Sequence, residues 1–261
     1  MKRWTLAAMA LMCLAATTGD DVTRLYEERE LRYTGGPYTD HAFKYRLLKP
    51  EKLEPGRKYP LVLFLHGAGE RGADNAIALK YLPAWLAERE ARGQFPCFVL
   101  VPQCPSERMW IDKPWGQKEH SMSAEPTDEM KAVLAMLKEV IESEAVDRDR
   151  IYITGLSMGG YGAWELAIRH PELFAALVPI CGGADEKYAS KLVGMPIWAW
   201  HGTVDQAVPV ERSRRMIDAV RAAGGKPLYT ELEHVGHNSW APAYRCPDLL
   251  NWMFRQSKAN K

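Results

Sequence analysis

The 261-residue sequence predicts an α/β fold: a mainly parallel, twisted sheet with helices on both faces. Three observations carry that prediction. Short, wholly apolar runs at 61–65 (LVLFL), 98–101, 151–153, 175–180 and 197–200 have the character of strands buried on both faces. Segments with helical periodicity, 76–91, 127–144, 158–169 and 210–223, lie between them, and such alternation favours right-handed parallel crossovers. Finally, no internal repeat, low-complexity tract or linker divides the chain, so one domain is expected over 20–261.

Taken in order, the chain starts unlike a globular domain. Lys2 and Arg3 precede an uncharged, mostly apolar stretch over 4–16, followed by small residues. This predicts a signal peptide over 1–19, with cleavage contexts at Cys13-Leu14-Ala15 and Ala15-Ala16-Thr17 and a mature start between Thr17 and Asp21. A secreted or periplasmic protein follows, with no membrane insertion once the leader is removed; Met12 before Cys13 argues against a lipid anchor. Residues 21–34 are charged with a weak strand pattern. In 42–48, Phe43, Tyr45 and Leu47 alternate with Lys44 and Arg46, as in a half-exposed antiparallel strand. A polar connection over 50–58 leads into the first apolar run. A strand over 228–232 and a helix over 247–255 close the chain. The connection over 103–126 is unusually long and carries Trp110 and Trp115, either as a functional loop or as a surface loop pinned by its tryptophans.

Composition narrows the function. Hydrophobic residues make up 47% and charged residues 26%, enough for a large ordered core. Thirty-four basic against 33 acidic residues leave no surplus to neutralise phosphates, so nucleic acid is not an expected partner. Cys97, Cys104, Cys181 and Cys246 remain after the leader; they allow three disulfide pairings or serve as free buried thiols.

The chemistry concentrates at four strand ends. Gly155-Leu156-Ser157-Met158-Gly159 sits between a predicted strand and a predicted helix. A turn that sharp crowds the backbone, so glycines must flank the serine, whose hydroxyl is lifted out of the sheet at a helix N-terminus. Ser157 is the predicted nucleophile, and the Met158 N–H can face a developing oxyanion. A hydroxyl needs a base. His237, after the last strand, is preferred over His234 because Gly236 frees its backbone; a zinc site at these two histidines lacks the metalloprotease spacing. The carboxylate should follow the 197–200 strand, where Asp205 is the acid in the turn, with Asp185 as the alternative. Small residues in His66-Gly67-Ala68-Gly69 let a second backbone N–H approach the substrate, at Ala68 or else Gly69, with His66 as a structural hydrogen-bonder. Trp110, Trp115 and Trp240 are the candidate substrate-lining residues.

These pieces resemble the α/β-hydrolase superfamily, and more narrowly the secreted carboxylesterases related to the phospholipase/carboxylesterase, dienelactone hydrolase and polyhydroxybutyrate depolymerase families. The matching segments are YPLVLFLHGAGERG (59–72), VPQCP (101–105), ITGLSMGGYGAW (153–164), ICGGAD (180–185), HGTVDQAVP (201–209) and HVGHNSW (234–240). The resemblance implies a Ser157–His237–Asp205 triad acting through an acyl-enzyme with no metal or cofactor, and no large cap domain. The implied substrates are small to medium acyl or aryl esters, free or linked to a polysaccharide or polyester. A serine peptidase of the same fold and a non-catalytic binding module are the competing readings.

Overall fold

The computed structural model describes residues 19–260 except 113–115 and 118; residues 1–18 of the expected leader, with Cys13, and Trp115 lie outside the described residues. An eight-stranded sheet runs in the order β1-β2-β4-β3-β5-β6-β7-β8. The strands are β1 (Tyr26–Gly35), β2 (Tyr38–Leu48), β3 (Tyr59–Leu65), β4 (Phe98–Pro102), β5 (Val146–Leu156), β6 (Ala176–Ile180), β7 (Trp198–Gly202) and β8 (Leu228–Leu232). β1 and β2 form an antiparallel hairpin at one edge, β2 pairs antiparallel with β4, and the strands from β4 to β8 are parallel. The hairpin explains the alternation seen in 42–48, because its residues are covered on one face only.

The apolar runs are buried on both faces, as expected. Leu61, Leu63 and Leu65 of β3 point into one core with residues of α4 (Asp128–Ser143), α5 (Met158–Arg169) and α6 (Glu211–Ala222). Val62 and Phe64 point into the other, with residues of α1 (Gly19–Leu25), α2 (Leu82–Leu86), α7 (Trp240–Arg245) and α8 (Pro247–Phe254). Thr127 caps α4, its Oγ1 accepting from the Met130 N–H at 3.1 Å while donating to the Trp110 carbonyl at 2.8 Å.

One expected helix is broken. Residues 76–91 form a 3₁₀ turn (Ile77–Leu79), α2, and the start of α3 (Arg89–Gln94). Pro83 lacks an N–H and therefore starts a helix rather than continuing one. Tyr81 before it adopts φ +63°, and Glu88 is extended at φ −61°, ψ 141°. Among the described residues all four cysteines are free thiols, buried at Cys97, Cys104 and Cys181 but only half-buried at Cys246.

Candidate active site

β5 ends at Leu156 and α5 begins at Met158, leaving Ser157 alone in the turn at φ +54°, ψ −119°. That left-handed conformation is costly for a side-chain-bearing residue and persists only where packing imposes it. The packing is visible. A Cβ on Gly159 would collide with the Leu65 carbonyl, so α5 lies directly on the end of β3. The Ser157 N–H donates to the Ile180 carbonyl at 3.0 Å, fastening the turn to β6. Ser157 is 6% exposed, less open than the turn geometry alone predicts.

The loops after β7 and β8 are laced together. Thr203 N–H donates to the Leu232 carbonyl at 3.0 Å, Val204 N–H to the Val235 carbonyl at 3.1 Å, and His234 N–H to Thr203 Oγ1 at 2.9 Å. A Cβ on Gly202 would strike the carbonyls of Val235 and Gly236, so glycine is what lets the two loops touch. This contact delivers His237 between two partners. Its Nδ1 is 2.7 Å from Asp205 Oδ2, and its Nε2 is 2.9 Å from Ser157 Oγ.

Asp205 is anchored in turn. Its Oδ1 accepts from the N–H groups of Ala207 and Val208 at 2.8 and 2.9 Å. Burial by itself would raise its carboxyl pKa; hydrogen bonds from His201, His237 and those two amides outweigh burial and hold it well below the usual carboxylate range. Asp205 therefore carries its charge at neutral pH. It can fix the tautomer of His237 with the proton on Nδ1, leaving Nε2 to accept from the serine. Two backbone amides stand at helix starts. Met158 is the first residue of α5 and Ala68 the first of a 3₁₀ turn (Ala68–Glu70), positions whose N–H groups lack an acceptor within the helix.

Residues 36–227, which include the strand–turn–helix serine, match the model of the Esterase family, described as "Putative esterase". The chain belongs to the Esterase family. A solved thermostable esterase superimposes with a TM-score of 0.80 at 37% identity, covering 91% of this chain and 64% of that one. The chain thus spans just under two thirds of that protein. Acyl-protein thioesterase 1 of Eremothecium gossypii is 25% identical over 58% of this chain and 68% of its own. Poly(3-hydroxyalkanoate) depolymerase C of Paucimonas lemoignei is 29% identical over 48% of this chain and 28% of its own. The fold is that of the α/β-hydrolases, and the chain is a hydrolase.

In this family member the rival site residues have other work. His234 is exposed at φ +59° and faces Glu233. Asp185 accepts from the Lys187 N–H at 3.1 Å and the Met122 N–H at 3.0 Å, capping a 3₁₀ turn and tying down the long loop. His66 is buried; its Nε2 accepts from the Cys104 N–H at 3.0 Å and its Nδ1–H donates to the Gly67 carbonyl at 2.7 Å.

The expected lining role of Trp110 fails on burial. The residue is 1% exposed, and its indole N–H donates to the His66 carbonyl at 3.0 Å. It pins the long loop beneath the site and presents no face to a ligand. Trp240 is placed differently. It meets the His237 ring edge-on, with centroids 5.1 Å apart, and the Tyr81 ring is tilted against it with centroids 5.6 Å apart. Tyr81 was missed in the sequence. Pro83 two residues on was the available signal, marking a helix start and a turn before it. Tyr81 and Ser157 share the same unusual backbone region, and strained residues of this kind gather at functional sites.

Among the described residues, one set of possible metal ligands occurs: Cys181, Asp205 and His237, with ligand atoms within 4.8 Å of one another. Burial pushes the Cys181 thiol up to about 12, so this set offers a protonated thiol where a metal needs a thiolate. His237 and Asp205 already satisfy each other.

Proposed function

We propose that the chain is a serine-dependent carboxylic ester hydrolase that works through an acyl-enzyme. The observation that carries this reading is the unbroken run of hydrogen bonds from Ser157 Oγ through His237 to Asp205. Ser157 attacks the ester carbonyl as His237 Nε2 takes its proton. The tetrahedral oxyanion rests on the N–H groups of Met158 and Ala68. His237 then protonates the leaving alcohol, and water repeats the cycle. Nothing in these steps calls on a metal or a cofactor.

Trp240 and Tyr81 stand on the His237 side, where the leaving alcohol departs, and their flat faces suit small to medium acyl or aryl esters, free or linked to a polysaccharide or polyester. The charged, uncharged and small-residue zones of the leader support export. No helix among the described residues is long and apolar enough to cross a membrane.

Ser157→Ala tests the mechanism. Turnover on p-nitrophenyl acetate should fall by on the order of 10⁶, and a fluorophosphonate that labels the native chain at Ser157 should leave the variant unlabelled. Retention of more than a few per cent of the activity overturns the assignment. Hydrolysis of an aminoacyl-p-nitroanilide in preference to the ester would replace the esterase with a peptidase.

A further inference from the structure

The turn that carries Ala68 has only three residues, Ala68–Glu70, and its own main chain holds it weakly. Glu70 N–H reaches the Gly67 carbonyl at 3.3 Å and Arg71 N–H reaches the Ala68 carbonyl at 3.5 Å, both long for such bonds. Two side chains give the same carbonyls shorter bonds. His66 Nδ1–H donates to Gly67 at 2.7 Å, and Arg71 Nε–H donates to Ala68 at 2.9 Å. The second of these is charge-assisted, because a guanidinium keeps its proton throughout the working pH range.

Each carbonyl sets the direction of the amide that follows it. In a trans peptide the C=O and the next N–H point opposite ways. The Gly67 carbonyl is held by His66, so the Ala68 N–H is turned to the other side. The Ala68 carbonyl is held by Arg71, so the Gly69 N–H is turned likewise. Among the described residues neither amide meets an acceptor. The start of the turn lies against the strand that carries the nucleophile. A Cβ on Gly67 would stand 2.7 Å from Leu156 Cδ1 and 3.6 Å from the Leu156 carbonyl, one residue before Ser157.

Arg71 is itself anchored to the long loop after β4. Its Nη1–H donates to the Arg108 carbonyl at 3.2 Å. Arg108 is fixed in turn, by its N–H on the Pro105 carbonyl at 3.0 Å and by its guanidinium 5.4 Å from the centre of the Tyr38 ring. The Gly72 N–H donates to the Cys104 carbonyl at 2.9 Å, and Gln103 Nε2–H to the Glu70 carbonyl at 3.3 Å, so the turn is docked on that loop along its length.

We propose that Arg71 is a positioning residue for the reaction: its guanidinium spans the Ala68 and Arg108 carbonyls and keeps the Ala68 turn aimed at the tetrahedral intermediate. This rests on the reading of Ser157 as nucleophile and of the Ala68 N–H as an oxyanion donor. Arg71 acts from behind, on the carbonyl side of the turn, while the oxyanion forms on the amide side. A planar fork reaches two carbonyls at once, whereas the ammonium of a lysine is a point charge on a flexible stem. A misaimed amide costs more against a full oxyanion than against a neutral ester carbonyl, so the effect belongs to turnover and not to substrate binding.

The test compares ester turnover with inhibition by a trifluoromethyl ketone, which adds to the serine and places an oxyanion on the same amides. Arg71→Ala should lose roughly 10²-fold in kcat with KM unchanged, and the ketone should bind more weakly by the same factor. Arg71→Lys should fall between the Ala variant and the native chain. Methylguanidinium should restore part of the turnover of Arg71→Ala and give the native chain nothing. A kcat near the native one, a loss that appears in KM instead, or a ketone affinity that does not follow kcat overturns the proposal. If Arg71→Ala does not fold, Arg71→Lys decides, and native turnover there refutes it. Fluorophosphonate should still label Ser157 in every Arg71 variant, only more slowly. A native chain that takes no label brings down the triad reading itself, a failure separate from any ranking of the variants.

Discussion

The loop after β3 and the loop after β8 leave the same edge of the sheet, and each carries a histidine. His66 has both ring nitrogens tied to the main chain, and burial, partly countered by the Gly67 carbonyl, drives its pKa down to about 4. His237 keeps a side chain 29% exposed, with a carboxylate behind it and a hydroxyl in front. The same imidazole is a rigid neutral brace in one loop and a candidate base in the other. The difference lies in the partners: peptide groups satisfy a ring and leave it inert, whereas a charged acceptor on one nitrogen makes the other basic.

The hardest blow to this contrast falls on the carboxylate. Asp205→Asn should cut kcat by roughly 10⁴ because His237 loses the acceptor that sets its tautomer. Asp185→Asn should leave turnover almost untouched and cost about 1 kcal/mol as a weakened cap. Steady-state assays beside denaturant titrations of both variants measure this, and the opposite ranking would place the functional acid at the wrong strand end.

The positions that meet in space could be nominated from the sequence because their signals are local. A glycine-flanked serine between a strand and a helix, an acid in the next-but-one turn and a histidine past the last strand each need a few neighbouring residues to be seen. The fold was legible for the same reason, since runs such as 61–65 and 98–101 declare two-sided burial by themselves. What was hidden depends on distant atoms. Trp110 has the look of a ligand-stacking residue until its N–H is found on the His66 carbonyl, 44 residues away in the chain. Tyr81 gains its place from Trp240, and Arg71 from the Arg108 carbonyl. The break in 76–91 has a local cause in Pro83, whose signal the apolar period around it masks.

A second comparison sharpens the difference between brace and site. Trp110→Ala removes a fully buried ring and should destabilise the protein by about 3–5 kcal/mol, with equal proportional losses on acetyl and aryl esters. Trp240→Ala should raise KM several-fold for an aryl ester while the reactivity of Ser157 toward a small phosphonate persists. Melting curves and a two-substrate kinetic comparison separate the two, and a substrate-selective loss in Trp110→Ala would restore it to the pocket.

The last of these effects concerns acid. The folded state holds His66 with a pKa of about 4 against an ordinary value of 6.5, so the unfolded chain binds its proton first as pH falls. Stability is therefore complete above pH 6.5 and declines between there and pH 4, by on the order of 3 kcal/mol. Asp205 is depressed instead, and its contribution is lost only below about pH 4. Unfolding free energies at pH 7 and 4.5 should thus converge in His66→Asn and differ in the native chain. An equal acid loss in both would mean that other groups set the acid sensitivity.

The last strand gives the molecule a fuse. Among the described residues β8 is hydrogen-bonded on one side only, and its five residues are all at least partly exposed, whereas β5 beneath Ser157 has neighbours on both sides. His237 lies past β8 and 80 residues from Ser157, to which it is hydrogen-bonded. Weakly held borders open before centres, so on heating His237 should part from Ser157 while most of the sheet still stands. On the proposed mechanism, activity would then report the docking of one thin border rather than the survival of the whole domain, and heat inactivation should run ahead of the loss of secondary structure.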